Sequence, residues 1–444
     1  MTDVGLGIDL GLTGVRVALV RVDGAVLARA TAPTGDARTW PAAVARASRS
    51  ALAAGPSGAR VVAVAATGAG PQPIPVDDRL DPLLRSVLTA HDRRPTAERR
   101  RLASQSGLMA GALIDHAAPV MHWWREPEPD AFDRAAYAID ATGFLVSWLT
   151  GHPVMDRITR DDYVLPGLDP PLPIPAAGEP LDVAGQLGQT AAAALGVDVG
   201  VPVALGTYDS WVDLESMGGT SRILLGSTMI LTTESRVVPS AAGDLRAVVL
   251  PGGERALSGW TSAAGSTIAW SRDRFGGEDV AGLEPGAGGL LALPYLAGER
   301  TPVWDPDARG AVVGLTTTTS AAQLGRAFLD AVALSARDIV ERMRGLGHAA
   351  ATWRVAGGGI HDSGWLQATS DALAAELAVV DTTGGVGAAV FGLRATGHHP
   401  AVPVVRLISP HAPAARRYDD LYPLYRELYA PLRATMAALT RLDD

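Results

Sequence analysis

Cysteine is absent from all 444 residues, which excludes disulfides, thiol nucleophiles and thiolate metal sites. No run of about 18 apolar residues occurs, so no membrane span is expected. The N-terminus reaches Asp3 and Asp9 without a basic stretch or an apolar core, so no secretory leader is visible. Together with the missing cysteines, this makes a cytoplasmic protein the expectation. The nine histidines show no H-E-x-x-H spacing, which argues against a zinc site. Positive charge is outnumbered, with 38 Lys plus Arg against 47 Asp plus Glu, a formal net charge of −9 and a pI near 5.5. That balance speaks against nucleic acid or an anionic membrane as a partner, while leaving room for local basic sites that bind small anions. Charged residues make up 19% and hydrophobic ones 47%, the balance of a folded globular chain. The length exceeds one ordinary core, so two or three domains are expected.

What is present begins with the stretch from Gly5 to Val20. The apolar run before Asp9 and the alternation of Val15, Val17 and Leu19 predict a strand, a tight turn and a second strand. The turn, Gly11-Leu12-Thr13-Gly14, offers two glycines and a hydroxyl. Glycine lets backbone N–H groups approach a phosphate closely, and threonine adds a donor. Asp9 directly precedes the turn, where a carboxylate can hold Mg²⁺ directly or through water. An ordinary buried hairpin accounts for the same residues. The pattern recurs, however: Leu10-Gly11-Leu12-Thr13 reappears as Leu225-Gly226-Ser227-Thr228, between the strand-like runs Arg222 to Leu225 and Met229 to Thr232. A repeat at this scale implies two related domains rather than a short-period solenoid. Two such turns could grip one polyphosphate.

Along the chain, Asp23-Gly24 predicts a hairpin turn into a third strand at 25–30. Thr39 reads as the N-cap of a helix with Pro41 in its first turn and Gly55 past its end. Residues 60–66 form an apolar strand followed by Thr67-Gly68-Ala69-Gly70-Pro71-Gln72, at the strand end where α/β proteins place ligands. A helix capped by Thr96, a helical region over 115–151 with Trp123, Trp124, Phe144 and Trp148 as packing anchors, and an irregular proline-rich loop over 164–180 are expected. A strand at 201–205 breaks into Gly206-Thr207-Tyr208-Asp209. Further on, a helix is expected over 261–275 and a strand over 290–295. Ser320 to Gln323 reads as a capping box that opens a long helix to about Arg344. A strand at 353–356 runs into Gly357-Gly358-Gly359, followed by a helix over 363–376, another after Gly384-Gly385 and an amphipathic one from Tyr418. The Gly384-Gly385-Val386-Gly387 run lacks the full G-x-G-x-x-G and a trailing acid, so it reads as a helix start rather than a dinucleotide loop.

The motifs taken together resemble the FGGY family of carbohydrate kinases, within the actin/hexokinase/Hsp70 superfamily. Four carry the resemblance in order: GIDLGLTGVRVALV from Gly5, GTYD at 206–209, LLGST at 224–228 and GGG at 357–359 before a helix. Between the last two, Gly310 to Leu315, then Gln323-Leu324 and Ala327 to Asp330, are similar to the family's second signature. Leu12, Ala69 and Val386 stand where the family usually has a hydroxyl, a polar and an acidic residue.

The resemblance implies two duplicated actin-like, ribonuclease H-like α/β domains, residues 1–215 for the sugar and 216–444 for the nucleotide, each a mixed sheet flanked by helices, with the active site in the cleft they form. It implies ATP as phosphoryl donor, Mg²⁺ as cofactor and a sugar or polyol as acceptor, a ketopentose such as xylulose or ribulose leading by family frequency, and a homodimer as assembly. Asp209 is then the base that takes the acceptor hydroxyl's proton, with Asp213 as its backup. Spacing alone suits Asp209 equally well to a helix N-cap. Asp9 is assigned to magnesium. Gly11, Thr13, Arg16, Gly226, Ser227, Thr228, Gly265, Gly357, Gly358 and Gly359 are assigned to ATP, and Asp92, Arg93 and Gln72 to the sugar. A nucleotide- or sugar-binding regulator that has lost turnover is the alternative, and a dinucleotide-dependent dehydrogenase is a more distant one.

Overall fold

The computed structural model describes residues 1–11, 13–84, 94–108, 113, 116–235, 244–276 and 280–443. It divides into two compact units. The first comprises Met1–Ser216, Pro251–Gly253 and Thr382–Pro403; the second comprises Met217–Leu250, Glu254–Asp381 and Val404–Asp444. Among the described residues no helix is long and apolar enough to cross a membrane.

In the first unit, β1 (Thr2–Leu10) and β2 (Gly14–Arg21) form the expected antiparallel hairpin, with Asp9 directly opposite Arg16. β3 (Val26–Pro33) pairs with β2, and β4 (Ala59–Gly68) runs parallel to β1. With β5 (Val183–Gln186) and β6 (Pro202–Ala204) the sheet order is β3-β2-β1-β4-β6-β5. Helix α1 (Trp40–Ala54) buries Ala43, Val44, Ala47 and Ala51, an apolar stripe at helical spacing. Thr39 does not cap it. Its backbone is already helical, and its hydroxyl donates to the Asp36 carbonyl at 2.7 Å and accepts from Gly35, closing the turn ahead.

The helical region expected over 115–151 is broken. Pro127 and Pro129 interrupt helix formation, and Tyr137–Ile139 instead forms a strand paired with Ile74–Val76. Helix α2 (Ala141–Thr150) follows, and its Phe144 is buried, as is Trp124 before it. α3 (Arg157–Tyr163) and α4 (Asp209–Met217) are the next helices used below. The helix Val386–Ala395, expected in the second domain, folds into the first unit. A Cβ on Gly7 would lie 2.1 Å from the Ala389 nitrogen. The glycines early in β1 therefore admit a helix at backbone distance, which larger residues would exclude.

The second unit repeats the plan. β7 (Ser221–Leu225) and β8 (Met229–Glu234) form an antiparallel hairpin. With β9 (Arg246–Val249), β10 (Arg255–Thr261), β11 (Thr352–Ala356), β12 (Glu376–Val380) and β13 (Val404–Ile408), the order is β9-β10-β8-β7-β11-β12-β13. β7, β11 and β12 run parallel, as β1, β4 and β6 do. The repeated glycine turn thus marks a repeated topology. Thr261 ends β10 rather than starting a helix, and α5 spans Gly265–Phe275. α6 (Ala321–Gly345) opens on the full Ser320/Gln323 capping box. α7 (Ser363–Leu373) stops short of Glu376, because Ala374 turns left-handed with φ +48°. α8 (Ala412–Asp443) begins earlier than expected and is tied to the core by its tyrosines, Tyr418 donating to Asp330 at 2.6 Å and Tyr422 to Asp338 at 2.8 Å.

Candidate active site

In the first unit, the β1–β2 register sets Asp9 and Arg16 face to face, and Arg16 Nε lies 3.0 Å from Asp9 Oδ2. Asp9 Oδ1 is buried and has no hydrogen-bond partner. Burial holds the Asp9 carboxyl above its usual range, with Arg16 opposing. The turn closes through Gly11 N–H to the Gly14 carbonyl at 3.0 Å, and a Cβ on Gly11 would lie 2.7 Å from a terminal nitrogen of Arg16. The guanidinium therefore lies directly over the turn at Gly11. Thr13 is exposed on the turn, and its carbonyl accepts from Thr34 N–H.

Asp209 opens α4 and is partly buried, its Oδ1 accepting from the Ser210 N–H at 2.7 Å. It thus takes a helix-start position and still faces the first hairpin's charges. Burial, followed by the negative charge of Asp9, pushes its carboxyl up to about 7, with the Ser210 bond and Arg16 pulling the other way. A carboxyl titrating near neutrality is what general-base chemistry requires. One helical turn on, Asp213 is raised well above the ordinary range by burial and by the charges of Asp9 and Asp209. Three carboxyls and the Arg16 guanidinium therefore share one neighbourhood.

Among the described residues no set of three or more Asp, Glu, His or Cys side chains is gathered as a metal cage. Magnesium is commonly held by one or two carboxylates, substrate phosphates and water, and the unpartnered oxygen of Asp9 fits that sparse chemistry.

In the second unit, four expected glycines meet around the β7–β8 turn. Gly226 N–H donates to the Thr228 carbonyl at 2.9 Å, and Gly265 N–H to the Gly226 carbonyl at 3.1 Å. Ser266 bonds the Ser227 carbonyl through both its N–H and its hydroxyl, at 3.1 and 2.9 Å, so α5 starts directly against the turn. Gly357, with φ +98°, would bring a Cβ within 2.5 Å of the Leu225 carbonyl, and one on Gly359 would come within 2.4 Å of the Trp365 ring. A Cβ on Gly358 would meet nothing within 4 Å. Gly357 and Gly359 are therefore packing glycines, and Gly358 faces open space where a flat ligand can approach. Ser227 is exposed at the tip of the turn.

Gln72 is buried, two residues beyond Gly70, which packs against the Tyr208 ring. Asp92 and Arg93, and also Leu12, lie outside the described residues. Sequence reading passed over Thr67, Thr142 and Thr207, which are bonded together just ahead of Asp209. Thr67, near the end of β4, carries little signal in the sequence, because threonine is an ordinary strand residue.

Residues 216–396 match the C-terminal domain of the FGGY family of carbohydrate kinases. A glycerol kinase from Alkalilimnicola ehrlichii is 29% identical over 373 residues, covering 76% of this chain and 74% of that protein. One from Chloroflexus aggregans is 30% identical over 308 residues, 58% of each chain. The crystal structure of xylulose kinase from Rhodospirillum rubrum aligns with TM-score 0.80 and 25% identity, covering 98% of this chain and all of the other. The fold is thus the mixed α/β fold of these sugar kinases, as the motifs implied. Residues 216–396 are thus an FGGY-type carbohydrate kinase C-terminal domain, and the chain around them is similar to kinases that phosphorylate an alcohol group.

Proposed function

We propose that this protein transfers the γ-phosphate of ATP to a hydroxyl of a sugar or polyol, with a ketopentose such as xylulose or ribulose as the favoured acceptor. The observation that carries the reading is Asp209, a partly buried carboxyl raised to about 7 beside the Asp9–Arg16 pair. In its ionised form it accepts the acceptor hydroxyl's proton as the oxygen attacks phosphorus. Phosphoryl transfer depends mainly on positioning and charge stabilisation. Arg16 supplies the guanidinium for the spreading negative charge. The hydroxyls of Thr13, Ser227 and Thr228 hold phosphate oxygens, which Gly11 and Gly226 let approach closely, and the open face at Gly358 admits the base and ribose. Asp9 Oδ1 is the oxygen that would hold magnesium, and the bound ion would neutralise phosphate charge. The likeness to xylulose kinase supports the ketopentose, while the glycerol kinase relatives make glycerol the next acceptor to try.

The test is an ADP-release assay with ATP and magnesium across ketopentoses, aldonates and polyols. Turnover with xylulose or ribulose above all others is expected. Preference for glycerol would replace the acceptor, and ligand binding without any turnover would replace the enzyme by a regulator of the same fold.

A further inference from the structure

The backbone two residues ahead of Asp209 is held from two other elements. Thr67, near the end of β4, donates its hydroxyl to the Thr207 carbonyl at 2.8 Å. Thr142, in the first turn of α2, also reaches that carbonyl with its hydroxyl, at 3.3 Å, and accepts the N–H of Gly68 at 3.0 Å. A carbonyl oxygen has two lone pairs, and both are engaged here by side chains. All three threonines are buried, at 3%, 1% and 0% exposure. Thr142 is itself set in place by Asp140, which caps α2 by accepting from Gly143 N–H at 2.7 Å and from Thr142 N–H at 3.3 Å. The next residue is held as well: the Tyr208 ring packs on Gly70 and its hydroxyl donates to Asp162 at 3.0 Å.

A hydroxyl at position 67 has no reason in strand formation. The preceding residues Val64, Ala65 and Ala66 are apolar and buried, and valine would occupy the same pleat equally well. The hydroxyl does have a reason in the loop. The segment between Gly206, whose φ is +72°, and the first turn of α4 contains only two residues, and their peptide orientation decides where Asp209 stands. We propose that Thr67 and Thr142 are positioning residues for Asp209: their hydroxyls clamp the Thr207 carbonyl and so set the base at its working distance from the acceptor hydroxyl. The proposal rests on the reading of Asp209 as that base. A displacement of about 1 Å at such a site costs about a hundredfold in rate, so a clamp built from two buried hydroxyls is felt in turnover.

The experiment compares kcat, KM for ATP and Tm in the full-length protein for Thr67→Val, Thr67→Ser, Thr142→Val, the double Thr67→Val/Thr142→Val and Asp209→Ala. Thr67→Val is expected to lower kcat about tenfold or more while KM for ATP holds, because the Gly226 and Gly357–Gly359 loops are untouched. Thr67→Ser keeps the hydroxyl and restores kcat, and the double variant falls below either single one. If Asp209→Ala is inactive but the double variant turns over like the parent, the clamp is overturned and the base stands. If Asp209→Ala retains activity, both fall. Equal losses in Thr67→Ser and Thr67→Val, in step with Tm, would reduce Thr67 to a packing residue and overturn the proposal.

Discussion

Asp9 and Asp209 are electrostatically coupled. After burial, the charge of Asp9 is the largest influence raising the Asp209 carboxyl, and Asp9 exerts it with one oxygen already paired to Arg16 at 3.0 Å. The first hairpin thus adds to what burial does to the protonation state of a residue two hundred positions further along the chain.

Replacing Asp209 with Ala should lower kcat by about 10²–10⁴ while leaving KM for ATP nearly unchanged. Steady-state kinetics check this, and full activity in the variant would leave Asp209 with its helix-start role alone.

The pH profile carries a sign. Asp209 accepts a proton only when ionised, so kcat should climb through a limb near pH 7 and level off above it. Asp9→Asn removes the second-largest raising influence, so the limb should move to lower pH. A limb that stays in place would separate the two residues.

Stability should move oppositely to activity. The folded protein holds the Asp209 proton more tightly than the unfolded chain does, from 3.8 up to about 7. Its contribution is fully present below pH 3.8, is lost as pH rises from there to about 7, and stays lost above. Asp209→Asn should therefore raise Tm at pH 8, with a smaller gain at pH 5.5, while activity disappears. Thermal melts at the two pH values decide it, and an equal gain at both would contradict the burial argument.

Magnesium dependence tests the buried oxygen of Asp9. Asp9→Asn should raise the magnesium concentration needed for half-maximal rate. An unchanged requirement would take Asp9 out of the metal's reach.

Two neighbouring glycines should separate folding from binding. Gly357→Ala meets the Leu225 carbonyl and a positive φ, strain of about 1–3 kcal/mol, so Tm should fall. Gly358→Ala meets open space, so Tm should hold while KM for ATP rises. A matching Tm loss in both would mean that Gly358 is a packing residue too.

The local motifs were legible because their chemistry is local. The hairpin around Gly11, the capping box at Ser320 and the helix after Gly385 depend on residues a few positions apart, and they form where periodicity and turn chemistry place them. Elements governed by distant partners are less legible: the 115–151 region gives up a strand to Ile74–Val76, more than sixty positions away.

Asp9, Arg16, Asp209 and the glycine turns were identifiable by type and order, and the register of one hairpin was enough to pair the first two. Tertiary structure alone decided that Asp209 would titrate near 7, that the Thr207 carbonyl would be held by hydroxyls from β4 and α2, and that residues 382–403 would fold with the first unit. The reason is physical: desolvation, long-range charge and close backbone packing arise from groups that sequence separates and only folding brings together.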